Sequence, residues 1–503
     1  MSFKIAFIGA GSIGFTRTLM RDLLSVSEFK DVEVAFTDIN AANLGMVTQL
    51  CQRDIDANGL GIRIHSTLDR REALRGASYA ICVVRIGGLE AFKTDIDIPL
   101  SYGVDQCVGD TLCSGGIMYG QRGISAILDF CKDIREVAAP DCLLLNYANP
   151  MAMLTWAANQ FGGVRTVGLC HGVQGGHRQI ARVLGLDKKD VDIVAAGLNH
   201  QTWFVQVKHQ GEDMTGKLLD AFERDPEYSR TEKVRIDMLR RFGYYSTESN
   251  GHLSEYVPWY RKRAADIGKW IDLGCWINGE TGGYLRVCTE GRSWFETDFP
   301  NWLKEPALVF AQENRSEEHG SYIIEGLRTG RVYRGHFNVV NNGCITNLPD
   351  DAIVEVPGYV DRNGISIPKV GDLPLGCAAV CNATVSVQRL AVRAAVSGDD
   401  LLLRQAMMMD PLTGAMLDPP EIWQLVDEML AAQATWLPQY ATAIAAAKAR
   451  LAAGKLIPTR EYAGAARLAT KSVDDMKRDR AAARANAGAA DKAKKRPAAA
   501  TAS

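Results

Sequence analysis

Short apolar runs separated by helical patterns dominate the first part of the chain, for about 190 residues. Residues 4–8 (KIAFI) have the length and content of a buried strand and end in a glycine-rich turn. Residues 15–24 follow with helical periodicity, residues 32–37 as a second strand and residues 41–57 as a second helix. Further strands are predicted near 62–66 and over 79–84, 142–146 and 165–169. Helices over 126–137 and 152–160 precede the last two, and residues 110–116 read as a polar, glycine-rich loop. Strands joined through helices predict a doubly wound parallel sheet.

After residue 200 the pattern changes. Residues 202–208 alternate as an antiparallel strand, and Gly211-Glu212 closes a hairpin. Helical segments are expected around 215–223 and 231–242. Residues 327–357 and 359–369 read as strands with turns at Asn341-Asn342-Gly343 and Asp361-Arg362-Asn363-Gly364. Residues 388–397 and 420–436 are helical. From residue 474 the chain is rich in Ala, Lys and Arg, with too little apolar surface to order itself, and predicts a solvated helix fraying into a disordered tail.

Composition removes several function classes. Among 503 residues, Lys+Arg number 57 and Asp+Glu 59, so no bulk charge draws the protein to nucleic acid or a membrane. The 12 cysteines are scattered without a CxxC pair, the usage of a reduced, cytoplasmic protein. No signal-peptide pattern opens the chain, and no apolar run is read as long enough to span a bilayer.

Candidate chemistry sits at the ends of the apolar runs. Gly9-Ala10-Gly11-Ser12-Ile13-Gly14 has a strand before it and a helix after it, the context in which this spacing binds a dinucleotide. Gly9 would permit the tight turn, Gly11 the approach of a pyrophosphate, and Gly14 close packing of helix on strand. Ser12 and Ile13 open the helix whose N–H groups would face the phosphates. Asp38 ends the second strand, where an acid holds the ribose 2′-hydroxyl of NAD and disfavours NADP. Arg85, Gly87 and Gly88 end the run 79–84 and suit a loop over the same cofactor. Asn149, beside Pro150, can aim its amide into the cleft. Cys170-His171 ends one apolar run and Gly197-Leu198-Asn199-His200 another; two strand ends at the C-terminal edge of a parallel sheet could bring these metal-ligating residue types together. Taken alone, the stretch reads equally as a buried cysteine with satisfied histidines. The aromatic, polar segment 243–260 suits a sugar-binding wall or an oligomer interface.

The runs FIGAGSIGFT, NYANPMAM, GLCHGVQ, GLNHQTWF and HLSEYVPWY, in that order, resemble glycoside hydrolase family four, nearest to its bacterial α-galactosidases, over residues 4 to about 440. The resemblance implies a Rossmann-type α/β domain (residues 1–195), similar to lactate and malate dehydrogenases. A mixed α+β domain for substrate, metal and oligomerisation (196–473) and a disordered tail (474–503) would follow. It implies tightly held NAD⁺ and a divalent metal, usually Mn²⁺. The implied reaction oxidises the sugar at C3, removes the C2 proton, eliminates the C1 leaving group, adds water and returns the hydride, with retention. Carried over, Cys170 and His200 would be metal ligands and Tyr256 the C2 base, with Asp110 raising its basicity. Asn149 and Asn199 would hold sugar hydroxyls. His171 stands where phosphosugar members carry an acidic residue used as general acid; it or water would fill that role. Cys-His here, and Phe92 where those members carry Arg, imply an unphosphorylated sugar; Gly172 has no side chain and leaves room near the metal. The expected activity is that of an NAD- and Mn-dependent α-galactosidase, with α-glucuronidase, α-glucosidase or a plain NAD-dependent dehydrogenase as competing readings. The implied partners are a small α-galactoside and further copies of the chain, as a homodimer or homotetramer.

Overall fold

Apolar runs buried on both faces form the middle of the sheet. β1 (Phe3–Ile8) sends Ala6 and Ile8 to one core and Ile5 and Phe7 to the other. β2 (Val32–Thr37), β3 (Ile64–Thr67), β4 (Tyr79–Cys82), β5 (Leu143–Asn146) and β6 (Thr166–Gly168) pair in parallel, in the order β3-β2-β1-β4-β5-β6. The helices Ile13–Leu24, Ala41–Ala57 and His319–Thr329 cover one face; Cys113–Val137, Met151–Ala157 and Leu375–Ser397 cover the other. This is a Rossmann-type, doubly wound sheet. Strand order reverses between β1 and β4, which opens a crevice at the C-terminal strand ends. The computed structural model describes residues 2–480, apart from 276–277, 293–294, 296–297, 455–456 and 461.

The sheet continues beyond β6 with antiparallel strands. β7 (Val191–Leu198), β8 (Gln201–His209), β9 (Glu212–Asp213), β10 (Tyr333–Val340), β11 (Ile353–Asp361) and β12 (Gly364–Ser366) complete twelve strands among the described residues, with β10 and β11 inserted between β6 and β7. One row of partners, Gly168–Asn338–Glu355–Gly197, crosses β6, β10, β11 and β7. The expectation that Cys170 and His200 both end parallel strands is thereby corrected: only Cys170 does. Leu198 pairs with Gln201, so Asn199 and His200 form a two-residue turn, and so short a turn allows only an antiparallel neighbour.

Other boundaries shift for identifiable reasons. The glycine-rich loop is shorter than expected, because a 25-residue helix already starts at Cys113. Gly115 and Gly116 lie in its first turn, where added Cβ atoms would fall 2.7 Å from the Asp95 carbonyl oxygen and 2.5 Å from the Thr111 carbonyl carbon. Residues 327–329 finish a helix, not a strand. Residues 388–397 are the second half of Leu375–Ser397, which is long and apolar enough to cross a membrane, contrary to the sequence reading. Half of its apolar window is buried, with Cys377, Cys381, Val385 and Val392 in the core. The aromatic segment is not an open wall: Tyr245, Tyr256 and Tyr260 are buried, whereas Trp259 is exposed. Residues 473–480 are helical, and the remainder of the expected tail, 481–503, lies outside the described residues.

Candidate active site

The glycine turn after β1 adopts the conformation a nucleotide requires. Gly9 has φ +88°, and a Cβ there would lie 2.8 Å from Val84 Cγ1. The Gly11 N–H donates to Asp38 Oδ2 at 2.9 Å, and Asp38 Oδ1 accepts from the Asn40 N–H at 2.8 Å. Asp38 therefore braces the turn from the end of β2. Ser12 is the N-cap of the helix Ile13–Leu24, yet its hydroxyl caps nothing, which leaves the first N–H groups for an anion. Gly14 does not play the role assigned from spacing: a Cβ there meets no atom within 4 Å, so helix packing does not demand glycine.

A second cluster lies beyond β6. Cys170, His200 and Glu248 each bring a donor atom within 4.8 Å of the others. Cys170 Sγ is 3.5 Å and His200 Nε2 is 3.7 Å from Glu248 Oε1. Burial and the Glu248 charge push the Cys170 thiol well above its ordinary pKa, so a cation is what would make it a thiolate here. Glu248 itself stays ionised, held down to about 2 against its burial by the neighbouring imidazoles. The buried side-chain amide of Asn199 turns its N–H to the Cys170 sulfur, and its Oδ1 has no hydrogen-bond partner among the described residues. A buried amide oxygen left without a partner beside a Cys/His/Glu donor set fits a bound cation and its ligands.

The helix Asn250–Tyr256 supplies the next shell. Ser249 caps it by accepting from the His252 N–H. His252 and Tyr256 are four residues apart and so share the face turned to His200, with ring centroids 4.8 and 6.5 Å from the His200 ring. Tyr256 Oη is 3.4 Å from His200 Nδ1. Burial and the Asp110 charge raise the Tyr256 pKa well above 10, so its phenolate would be a strong base. Glu255 faces the other way and accepts the N–H groups of Cys107, Val108 and Gly109 at 2.6, 3.0 and 2.9 Å. This clamp fixes the loop carrying Asp110 and Thr111 against the Tyr256 helix. Asp110 is buried and accepts from Asn149 Nδ2 and from the Thr111 hydroxyl, both at 2.9 Å.

Other sequence candidates sit further from this centre. The His171 side chain is 64% exposed, with Nδ1 3.5 Å from Glu318 Oε1. Gly87 and Gly88, with φ +82° and +58°, turn the chain from β4 into the helix Gly88–Ser101. The Arg85 guanidinium lies 4.5 Å from the centre of the Phe92 ring and 5.2 Å from that of Tyr284. Its Nη1 has no hydrogen-bond partner among the described residues.

Sequence reasoning missed Glu248, His252, Thr111 and Glu355. Glu248 and His252 stand four apart in a segment read for its aromatic content, and their Oε2 and Nδ1 are 3.6 Å apart. Glu355 was the more legible of these, a lone acid in the otherwise apolar strand IVEVPGYV. It is fully buried, accepts from Thr202 Oγ1 at 2.7 Å, and burial pushes its pKa up to about 8.

Residues 4–186 match the profile of the family 4 glycosyl hydrolases, and residues 195–413 match the family 4 glycosyl hydrolase C-terminal domain. The chain belongs to glycoside hydrolase family 4. It is 58% identical to an alpha-galactosidase of Rhizobium meliloti (strain 1021), over 95% of this chain and 98% of the relative. An alpha-galactosidase of Bacillus subtilis (strain 168) is 34% identical over 87% of this chain and 99% of its own. A 6-phospho-beta glucosidase from Thermotoga maritima, solved with manganese, NAD⁺ and glucose-6-phosphate, shares the fold. Its TM-score is 0.71 at 23% identity, covering 86% of this chain and 99% of that one.

Proposed function

We propose that this chain is an NAD⁺- and Mn²⁺-dependent α-galactosidase that hydrolyses terminal, unphosphorylated α-D-galactosides with retention. The observation that carries this reading is the Cys170, His200 and Glu248 donor set, beyond the same strand ends as the Gly9–Gly14 turn. The 58% identity to a curated alpha-galactosidase supports the choice of sugar. Phe92 supports the unphosphorylated substrate, because position 92 presents a buried ring and no guanidinium. In this reading residues 1–195 hold the nucleotide, and residues 196–473 complete the sugar and metal site and carry subunit contacts.

The residues divide the work as follows. Gly9, Gly11, Ser12 and Ile13 would hold the pyrophosphate, and Asp38 the ribose. When bound, NAD⁺ would take the C3 hydride and return it, and the divalent cation would acidify the C2 proton. Tyr256 would remove that proton as the phenolate, once its own proton has passed to solvent and a nearby bound cation favours the ionised form; its oxygen lies 3.4 Å from His200 Nδ1. Asn149 commits an N–H to Asp110, which leaves its carbonyl oxygen for a sugar hydroxyl. His171, exposed at the rim beside Glu318, passes a proton to the leaving group through water.

The test is p-nitrophenol release from the p-nitrophenyl α-galactoside, α-glucoside and α-glucuronide with NAD⁺, Mn²⁺ and a thiol reductant. The galactoside is expected to be the fastest substrate, with no net NADH. Stoichiometric NADH would make the protein a dehydrogenase; a faster glucuronide or glucoside would reassign the sugar.

A further inference from the structure

We infer that Glu248 is a third protein ligand of the divalent cation, bound through Oε1 alongside Cys170 Sγ and His200 Nε2. The inference rests on the metal-dependent reading above and goes beyond the Cys–His pair that the sequence motifs mark.

Geometry is the first argument. Metal–ligand bonds of about 2.0–2.3 Å hold neighbouring donors roughly 3–4 Å apart. Glu248 Oε1 lies 3.5 Å from the sulfur and 3.7 Å from the imidazole nitrogen. All three atoms lie within 4.8 Å of one another, so one ion can reach them with at most small side-chain adjustments.

Position 172 is the second. A Cβ on Gly172 would lie 2.2 Å from Glu248 Oε1 and 3.6 Å from Cys170 Sγ. The space beside the metal that the missing side chain leaves is thus filled from another part of the chain, by a carboxylate. Glycine at 172 and glutamate at 248 are two halves of one arrangement.

Backbone strain is the third. His200 and Glu248 both occupy the left-handed region, with φ +62° and +72°, where a non-glycine residue is strained. Hydrogen bonds between the start of β8 and the segment just before Glu248 hold both residues in place. Thr202 N–H donates to Thr247 Oγ1 at 3.1 Å, and Thr247 N–H donates to the Thr202 carbonyl at 2.7 Å. Two strained residues on two segments, tied together and aimed at one point, is the arrangement of a preformed site.

Charge agrees. Among the described residues Glu248 makes no contact ion pair with Lys or Arg, although the Arg235 charge acts on it from further away; thiol and imidazole groups surround it. A divalent cation at this point would add a second, stronger source of positive charge beside the buried carboxylate. A thiolate, a carboxylate and a neutral imidazole balance a divalent ion and leave open positions for two sugar oxygens.

The experiment measures Mn²⁺ affinity by the EPR signal of free Mn²⁺, on the NAD⁺-loaded wild type and the variants Glu248→Gln, Glu248→Asp, Gly172→Ala and Cys170→Ser. Co²⁺ substitution adds an optical readout. Glu248→Gln is expected to weaken Mn²⁺ binding about 10- to 100-fold, the scale on which groups around a metal act. It should keep the thiolate-to-Co²⁺ charge-transfer band while shifting the ligand-field bands. Glu248→Asp should fall between Gln and wild type. Gly172→Ala should weaken binding on its own but add little to Glu248→Gln, since both act on one carboxylate. NAD⁺ affinity and melting curves report folding, and if Glu248→Gln fails to fold, the other two substitutions decide. Wild-type Mn²⁺ affinity and an unchanged Co²⁺ spectrum in the Glu248 and Gly172 variants, with loss only in Cys170→Ser, would overturn the inference and leave the metal reading standing. A wild-type protein that binds neither ion would sink both.

Discussion

Thr111 Oγ1 lies 2.9 Å from His200 Nδ1 while donating its own proton to Asp110 Oδ1, also at 2.9 Å. With that proton committed, Thr111 can only accept from His200, so the imidazole carries its hydrogen on Nδ1. Nε2 then keeps a lone pair on the side of Cys170 and Glu248. A hydroxyl in the loop before the helix Cys113–Val137 thus sets the tautomer of His200, the metal ligand proposed above on the β7–β8 turn.

Thr111→Val removes the acceptor and keeps the shape. It is expected to weaken Mn²⁺ binding about 10- to 100-fold, by equilibrium titration, while Thr111→Ser stays near wild type. Equal affinities for Val and Ser would show that the hydroxyl does not orient His200.

Tyr256→Phe keeps the ring stacked on His200 and deletes the oxygen proposed to take the C2 proton. The kcat on p-nitrophenyl α-galactoside should fall by about 10²–10⁴ while NAD⁺ binding is retained. A loss below tenfold would assign the base elsewhere.

Gly11→Ala places a Cβ 2.8 Å from Asp38 Oδ2 and forces that carboxylate off the Gly11 N–H. NAD⁺ affinity, measured by fluorescence quenching, should drop about tenfold or more, equivalent to about 1.4 kcal/mol. Mn²⁺ affinity should hold. Unchanged NAD⁺ binding would separate the glycine turn from the cofactor.

Glu355 makes stability depend on pH in a stated direction. Its pKa in the fold is pushed up to about 8 from 4.5 by burial, so the native state holds a proton that the unfolded chain releases. The stabilisation is complete below about pH 4.5 and is lost as pH rises toward 8, at up to about 1.4 kcal/mol per unit. Glu355→Gln keeps an acceptor for the Thr202 hydroxyl and cannot ionise. Urea unfolding from pH 5 to pH 9 should show the wild type losing stability relative to Glu355→Gln as pH rises. Parallel curves would mean that Glu355 is ionised in the native state throughout.

Local periodicity was enough to read much of the architecture. The strand at residues 32–37 and the helix at 41–57 fall where the apolar spacing places them, because a strand or helix face is written in consecutive residues. The glycine turn and Asp38 were legible for the same reason: strand, turn, helix and second strand are neighbours along the chain. The helix start at Cys113 was hidden, because Gly115 and Gly116 answer to Asp95 and Thr111 packing against them and not to loop chemistry. The aromatic stretch misled in a similar way. Tyr245 stacks on Phe222 with centroids 4.1 Å apart, a partner that nothing in its own segment announces.

The doubly wound core, the nucleotide turn and the residue types able to bind a metal were readable along the chain, since each is carried by a short run with its own pattern. Only the tertiary structure decided what stands around Cys170. It made the His200 strand antiparallel, brought Glu248 into the space left by Gly172, and set Thr111 against His200 and Glu255 beneath Tyr256. Those relationships join segments tens of residues apart, and pattern along a chain does not record which surfaces meet when the sheet folds them together.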